Sequence, residues 1–426
     1  MSNKLSNFNG GEISLNSIPM QIELASYTNR SCLFMGFPGL GKSAKIYQYA
    51  KDNNYNIVVF TGGLITKANI YGVDFIEPET KACTHYVAEW YNQAINSDKK
   101  TVLFLDDFAN ANPQEMMILQ QLLGDRKLGN YDLPTDKFII VGATNRAGDN
   151  ANVFNISSPI LSRLVLLEVQ LNVNEYLEYS ANHNHPSVHA FLKDRKWAIL
   201  NDSKFLQANG DVPTEFVGYG SNSNNYVNPC PRTWSAVSDM LYKLTVNVLD
   251  DKYKEPFIQN VSGLIGSGLS SLFVRSLNST LNIPSIEFLE STCNDKSTNY
   301  ANHITANLEA VSSVIFTIYQ EINCRISTFV RLKDEGKIQT NISKKGKMTY
   351  VYPPISNLMQ VLDKLAFTEF KDGINSKATI SNVFDLLMAN SNVNVFYMLI
   401  QDCEPIINEH IVTKSTIDMS LRNNNV

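Results

Sequence analysis

The chain has 426 residues, 44% of them apolar and 18% charged, with a net charge of −5. That length exceeds one ordinary core and implies two or three domains, while the composition excludes wholesale disorder. The acidic balance argues against a broad footprint for nucleic acid or an anionic membrane. The opening MSNKLSNFNG lacks the apolar stretch of a signal peptide, and no apolar run approaches the roughly 18 residues of a spanning helix. The 6 cysteines are scattered without a C-x-x-C pair, which points to buried thiols in a cytoplasmic protein rather than disulfides or a cysteine zinc site.

In chain order, short runs rich in Val, Ile, Leu and Phe recur at residues 31–35, 57–61, 102–105, 138–143 and 164–169. They read as strands buried on both faces. Helices are predicted between them at 43–51 and at 113–123, the second opening on a proline tolerated in a first turn. The alternation predicts an α/β fold, a three-layer sandwich around a parallel sheet, over residues 1–170. Beyond 171 the strand signal fades, and residues 174–181, 232–249 and 307–331 read as helices. Two stretches read as loops: 202–231, rich in Gly, Asn and Ser, and the Lys-rich 336–354.

The chemistry begins at the end of the first run. Gly36-Phe37-Pro38-Gly39-Leu40-Gly41-Lys42-Ser43 fits G-x-x-x-x-G-K-[ST] between a predicted strand and a predicted helix. Small residues there let backbone N–H groups curl around the phosphates, with the helix N-terminus adding partial positive charge. Lys42 would reach the β- and γ-phosphates, and the Ser43 hydroxyl would ligate Mg²⁺. Further on, the apolar run 102–105 leads into Asp106-Asp107, placing carboxylates at the C-terminal edge of the sheet, where such folds bind ligands. Asp106 would hold the Mg²⁺ through water, and Asp107 would orient and deprotonate the attacking water. An isolated Asp-Asp after a strand is more often a plain acidic turn; its position after a phosphate loop favours the metal reading.

With these segments in this order, the chain resembles an AAA+ ATPase of the MoxR-like group, of bacterial or phage type. Ile139-Ile-Val-Gly-Ala-Thr-Asn145-Arg146 resembles the sensor-1 strand, which implies that Asn145 positions the lytic water. Ser158-Pro-Ile-Leu-Ser-Arg163 resembles the arginine-finger segment, so Arg163 would act on a neighbouring subunit's γ-phosphate. Pro229-Cys-Pro-Arg232 resembles sensor 2, with Arg232 reaching the phosphate of its own chain. Most AAA+ proteins carry Glu where this chain has Asp107, so the water must sit closer or hydrolysis is slower. The resemblance implies a nucleotide-binding core over 1–170, a helical lid over 171–275 and a helical C-terminal extension over 276–426. It covers 12–275 best.

Two insertions sharpen it. Residues 68–89 resemble a hairpin inserted in the second helix, and 124–137, with Gly129-Asn130 at its tip, resemble the hairpin before sensor 1. In related rings these face the pore, so Tyr71, Phe75 and Tyr131 would contact a partner there; the alternative is that they pack the hairpins onto the core. The family likeness implies a homo-oligomeric, hexameric ring that hydrolyses ATP with Mg²⁺ to remodel a partner protein, possibly of von Willebrand factor A type. Rival readings are a nucleotide-gated scaffold with little hydrolysis, a GTP-driven motor of the McrB branch, and a DNA-acting motor, which the acidic balance disfavours. The H-x-H-x-x-x-H cluster of His183, His185 and His189 lacks the partners of a metal site, and the lysines of 333–347 read as a solvated loop.

Overall fold

The computed structural model of the chain describes residues 11–107, 110–146, 162–209, 227–244, 250–280, 284–295, 298–304, 308–337, 340–342, 348–350, 355–368, 370, 376–389 and 396. Its first part carries strands β1 (Gly11–Ser14), β2 (Ser31–Gly36), β3 (Asn56–Thr61), β4 (Val73–Ile76), β5 (Cys83–Tyr86), β6 (Thr101–Asp106), β7 (Lys127–Leu128), β8 (Tyr131–Asp132), β9 (Phe138–Thr144) and β10 (Leu164–Gln170). Helices α1 (Ile18–Tyr27), α2 (Lys42–Asp52), α3 (Lys67–Ile70), α4 (Glu89–Ile95) and α5 (Pro113–Asp125) alternate with them. Six strands form one sheet in the order β1-β10-β2-β9-β6-β3, every neighbouring pair parallel. All five strands expected from the sequence are in it. The sixth, β1, is too short and mixed for a periodic signal; it reads Gly-Glu-Ile-Ser and lies against β10 at the sheet edge.

The near-continuous apolar strands follow from a sheet covered on both faces. Successive side chains of a strand point to opposite sides, so Leu33 and Phe34, or Leu103 and Phe104, enter different clusters. One face meets α4 and α5 through Tyr91, Leu119 and Leu122. The other meets α1 and α2, and the same cluster runs on into later helices through Phe191, Trp234 and Phe273. Trp234 is fully buried, its Nε1 donates to the Ala198 carbonyl at 2.9 Å, and the Phe191 and Phe273 rings lie 5.6 Å away. Its truncation to alanine would cost about 3–5 kcal/mol.

The predicted 307–331 helix runs over Leu308–Asp334 and buries Val314, Ile318, Ile322 and Ile326 at every fourth position. These join Leu362 and Phe384, from the helices Ser356–Ala366 and Lys377–Ala389, in a separate cluster. The two expected loops need correction. Ser203–Asn209 is a helix, opened by the Asp202 carboxylate accepting from the Phe205 N–H at 3.0 Å; residues 210–226 lie outside the described part. In the Lys-rich stretch Thr340–Ile342 pairs antiparallel with Met348–Tyr350. The 232–249 helix is described over Pro231–Lys243. Among the described residues no helix is long and apolar enough to cross a membrane.

Candidate nucleotide site

β2 delivers the chain to the phosphate loop at Gly36. Gly39 (φ 79°) and Gly41 (φ 106°) take left-handed conformations that a Cβ would strain, which is why small residues sit there. Gly41 is the N-cap of α2 and brings no side chain to bond the first-turn N–H groups, an arrangement that favours an anion. Lys42 opens the helix and is buried. Its Nζ donates to the carbonyls of Gly36 (2.8 Å) and Phe37 (3.0 Å) and lies 3.5 Å from Asn145 Oδ1. The Ser43 hydroxyl donates to Asp106 Oδ1 at 3.0 Å, and the Asp107 N–H donates to the same oxygen at 3.1 Å. These contacts aim the Asp106 carboxylate. Asp107 turns the chain after β6 with φ 48°, a left-handed position that aspartate tolerates better than most residues. A side chain at Gly62 would overlap the Asp107 carbonyl, so the end of β3 sits directly against this turn.

The C-terminal ends of β2, β6 and β9 thus bring Lys42, Ser43, Asp106, Asp107 and Asn145 to one side of the sheet. They border a pocket of about 490 Å³, within the range of small-ligand sites, together with Pro38, Gly39 and Gly41. Arg232 closes it from the helix Pro231–Lys243, tethered by its N–H donating to the Gly39 carbonyl at 3.2 Å. The far end of the pocket escaped sequence reasoning: Leu15, Asn16, Tyr176 and Tyr179 line it. The Asn16 N–H donates to Glu175 Oε2 at 3.2 Å, and the Tyr179 ring stacks on His183 with centroids 4.4 Å apart. Burial pushes the Tyr176 phenol well above its ordinary range. Only the i, i+3 spacing of the two tyrosines could have flagged this end.

Arg163 is not brought to the pocket. It stands half-exposed at the start of β10, 3.4 Å from Asp125, with its stem lying over Gly124. Residues 158–161 of its segment lie outside the described part. The hairpins formed as expected, β4 with β5 and β7 with β8, and two of the three aromatics named with them make packing contacts between the two. Tyr71 packs over Gly129, its ring 4.3 Å from that of His85, and the Tyr131 hydroxyl donates to the His85 carbonyl at 3.3 Å. Both bind the hairpins to each other; Phe75 is half exposed, alongside Val73 and Ile76. The three histidines diverge: His183 bonds the Tyr179 carbonyl, His185 Nδ1 accepts from the Ser187 N–H, and His189 is buried against Phe316.

Residues 32–173 match the family described as the ATPase family associated with various cellular activities, AAA. Among solved structures, the chain is similar to a candidate ATPase from Cytophaga hutchinsonii, with 13% identity over 40% of this chain and 51% of that one, and a TM-score of 0.29. It is also similar to the Holliday junction branch migration motor RuvB of Thermotoga maritima, with 17% identity over 66% of this chain and 73% of that one, and a TM-score of 0.32. The chain spans about half the length (51%) of the Cytophaga protein. No curated protein matches it.

Proposed function

We propose that this chain, whose residues 32–173 match the AAA ATPase family, is an ATP hydrolase and a MoxR-like motor whose ring remodels a partner protein. The observation that carries the reading is the joined set of Lys42, Ser43, Asp106 and Asn145 at one pocket, with Arg232 on its opposite wall.

The residues present fit magnesium-bound ATP. Ser43 and Asp106 offer hard oxygen donors 3.0 Å apart, the donor type that Mg²⁺ takes alongside water and phosphate. The metal, when bound, would neutralise charge developing on the phosphates. Lys42 would exchange its carbonyl partners for phosphate oxygens. Asp107 would take the proton of the attacking water, and the Asn145 amide would orient that water. Arg232 would register the phosphate from the lid, which we assign to residues 171–275, with 276–426 as a C-terminal extension. The base would lie toward Leu15, Asn16 and Tyr179.

Arg163 completes the site from a neighbouring subunit in this reading. Its exposed position away from its own pocket supports a role in trans, and a ring, hexameric by family habit, follows from that requirement. Phe75, with Val73 and Ile76, would be the hairpin surface offered to the partner protein. The test is Arg163→Ala: turnover should fall by about 10³-fold or more while ATP affinity stays within about threefold. Full turnover by this variant would contradict the trans site.

A further inference from the structure

The residue following Asn145 is built into a network that the family motif does not describe. Arg146 Nη1 lies 3.3 Å from Glu168 Oε1 in β10, and its Nη2 bonds Asp202, the residue that opens the helix Ser203–Asn209. The guanidinium carbon stands 5.7 Å from the centre of the Phe37 ring, inside the phosphate loop. The Glu168 side chain is 4% exposed and the Asp202 side chain 11%, so both carboxylates sit largely out of water. Lys204 also approaches Glu168, at 3.4 Å, from the edge. One planar cation therefore joins β10, the phosphate loop and the start of a helix, and its own backbone is continuous with Asn145. The fork geometry of arginine suits this bridge; a lysine ammonium, a point charge, would not span both carboxylates.

We propose that Arg146 is a positioning residue for ATP hydrolysis: braced between Glu168 and Asp202 beneath Phe37, it fixes the Asn145 amide on the phosphate side of the pocket. Asn145 Oδ1 lies 3.5 Å from Lys42 Nζ, so a small shift of the backbone at 145–146 changes both the amide and its distance to the lysine. Water placement is sensitive to such shifts, and a misplacement of about 1 Å costs on the order of 10²-fold in rate. Arg146 does not line the nucleotide pocket. Its effect passes through its neighbour.

The inference rests on the ATPase reading above, and the experiment separates the two. Turnover, KM and equilibrium affinity for ATP with Mg²⁺ are measured for the full chain and for Arg146→Lys, Asn145→Ala and the double variant. Arg146→Lys should lower kcat by about tenfold, with ATP affinity within about threefold. In the Asn145→Ala background the same change should cost almost nothing further, because the group through which it acts is gone. Asp202→Asn, which keeps the Glu168 pair and loosens only the second arm, should give a smaller loss, also erased in that background. Equal losses in both backgrounds, kcat unchanged in Arg146→Lys, or a fall in affinity matching the fall in turnover would overturn the positioning role while leaving the ATPase reading intact. Absence of ATP turnover by the unaltered chain would overturn both.

Discussion

The nucleotide-binding part and the C-terminal helices bury comparable apolar residues but use polar ones in opposite ways. In the first, the strands end in Gly36, Asp106 and Thr144, and the groups just beyond them meet at a pocket. In the second, Leu308–Asp334 carries Ser312 and Ser313 inside the packing, and none of its residues lines that pocket. A parallel sheet gathers chemistry because all its C-terminal ends point one way. A helical cluster gathers volume. Substitutions in the two regions should therefore fail in different measurements.

The sharpest contrast pairs Lys42→Ala with Phe384→Ala. Losing the lysine should reduce ATP turnover by about 10²-fold or more, as for removal of one charge-stabilising donor, and leave the melting temperature of the ligand-free chain little changed. Losing the fully buried Phe384 should cost about 3–5 kcal/mol of stability, seen in chemical denaturation, with turnover per folded molecule retained. If Phe384→Ala instead abolished turnover in folded protein, the division between the regions would break down.

A smaller effect concerns the seam between them. His189, in the helix Pro186–Asp194, is buried against the Phe316 ring at 4.0 Å, and burial lowers its pKa to about 3; His185, capping the same helix, is lowered to about 4. Both lie below the ordinary value of 6.5, so the unfolded chain takes up protons first as pH falls. Stability from these groups is complete above about 6.5 and drains as pH drops toward 3, at up to about 1.4 kcal/mol per pH unit for each histidine. His189→Leu should flatten the dependence of the melting temperature between pH 6.5 and 5. An unchanged slope would remove His189 as its cause.

The legible parts of the molecule were those whose cause is local in sequence. The phosphate loop declares itself because backbone curvature, cation and hydroxyl must follow one another within eight residues, Gly36 to Ser43. The strands were visible because burial on both faces demands unbroken apolar runs. What stayed hidden is assembled across distance. Leu15, Asn16 and Tyr179 meet only when the N-terminal turn and the helix Val173–His183 close one end of the pocket, and Arg146 finds partners 22 and 56 residues away. The hairpin aromatics illustrate a third case. Tyr71 and Tyr131 were legible as residues of the two hairpins, but their contacts with each other's hairpin arise from packing that no local pattern encodes. The short pair at Thr340–Ile342 and Met348–Tyr350 was masked by the lysines around it, which outweighed the alternation within each three-residue strand.

The claim on which the account depends is that each hydrolytic centre is shared between two copies of the chain. Mixing Lys42→Ala subunits with Arg163→Ala subunits tests it most directly. Neither variant alone should turn over ATP appreciably, but in mixed assemblies an intact Lys42 pocket meets an intact Arg163 at some interfaces. The account predicts that activity reappears on mixing and follows the fraction of such interfaces. Mixed assemblies that form and stay inactive at every ratio would contradict it.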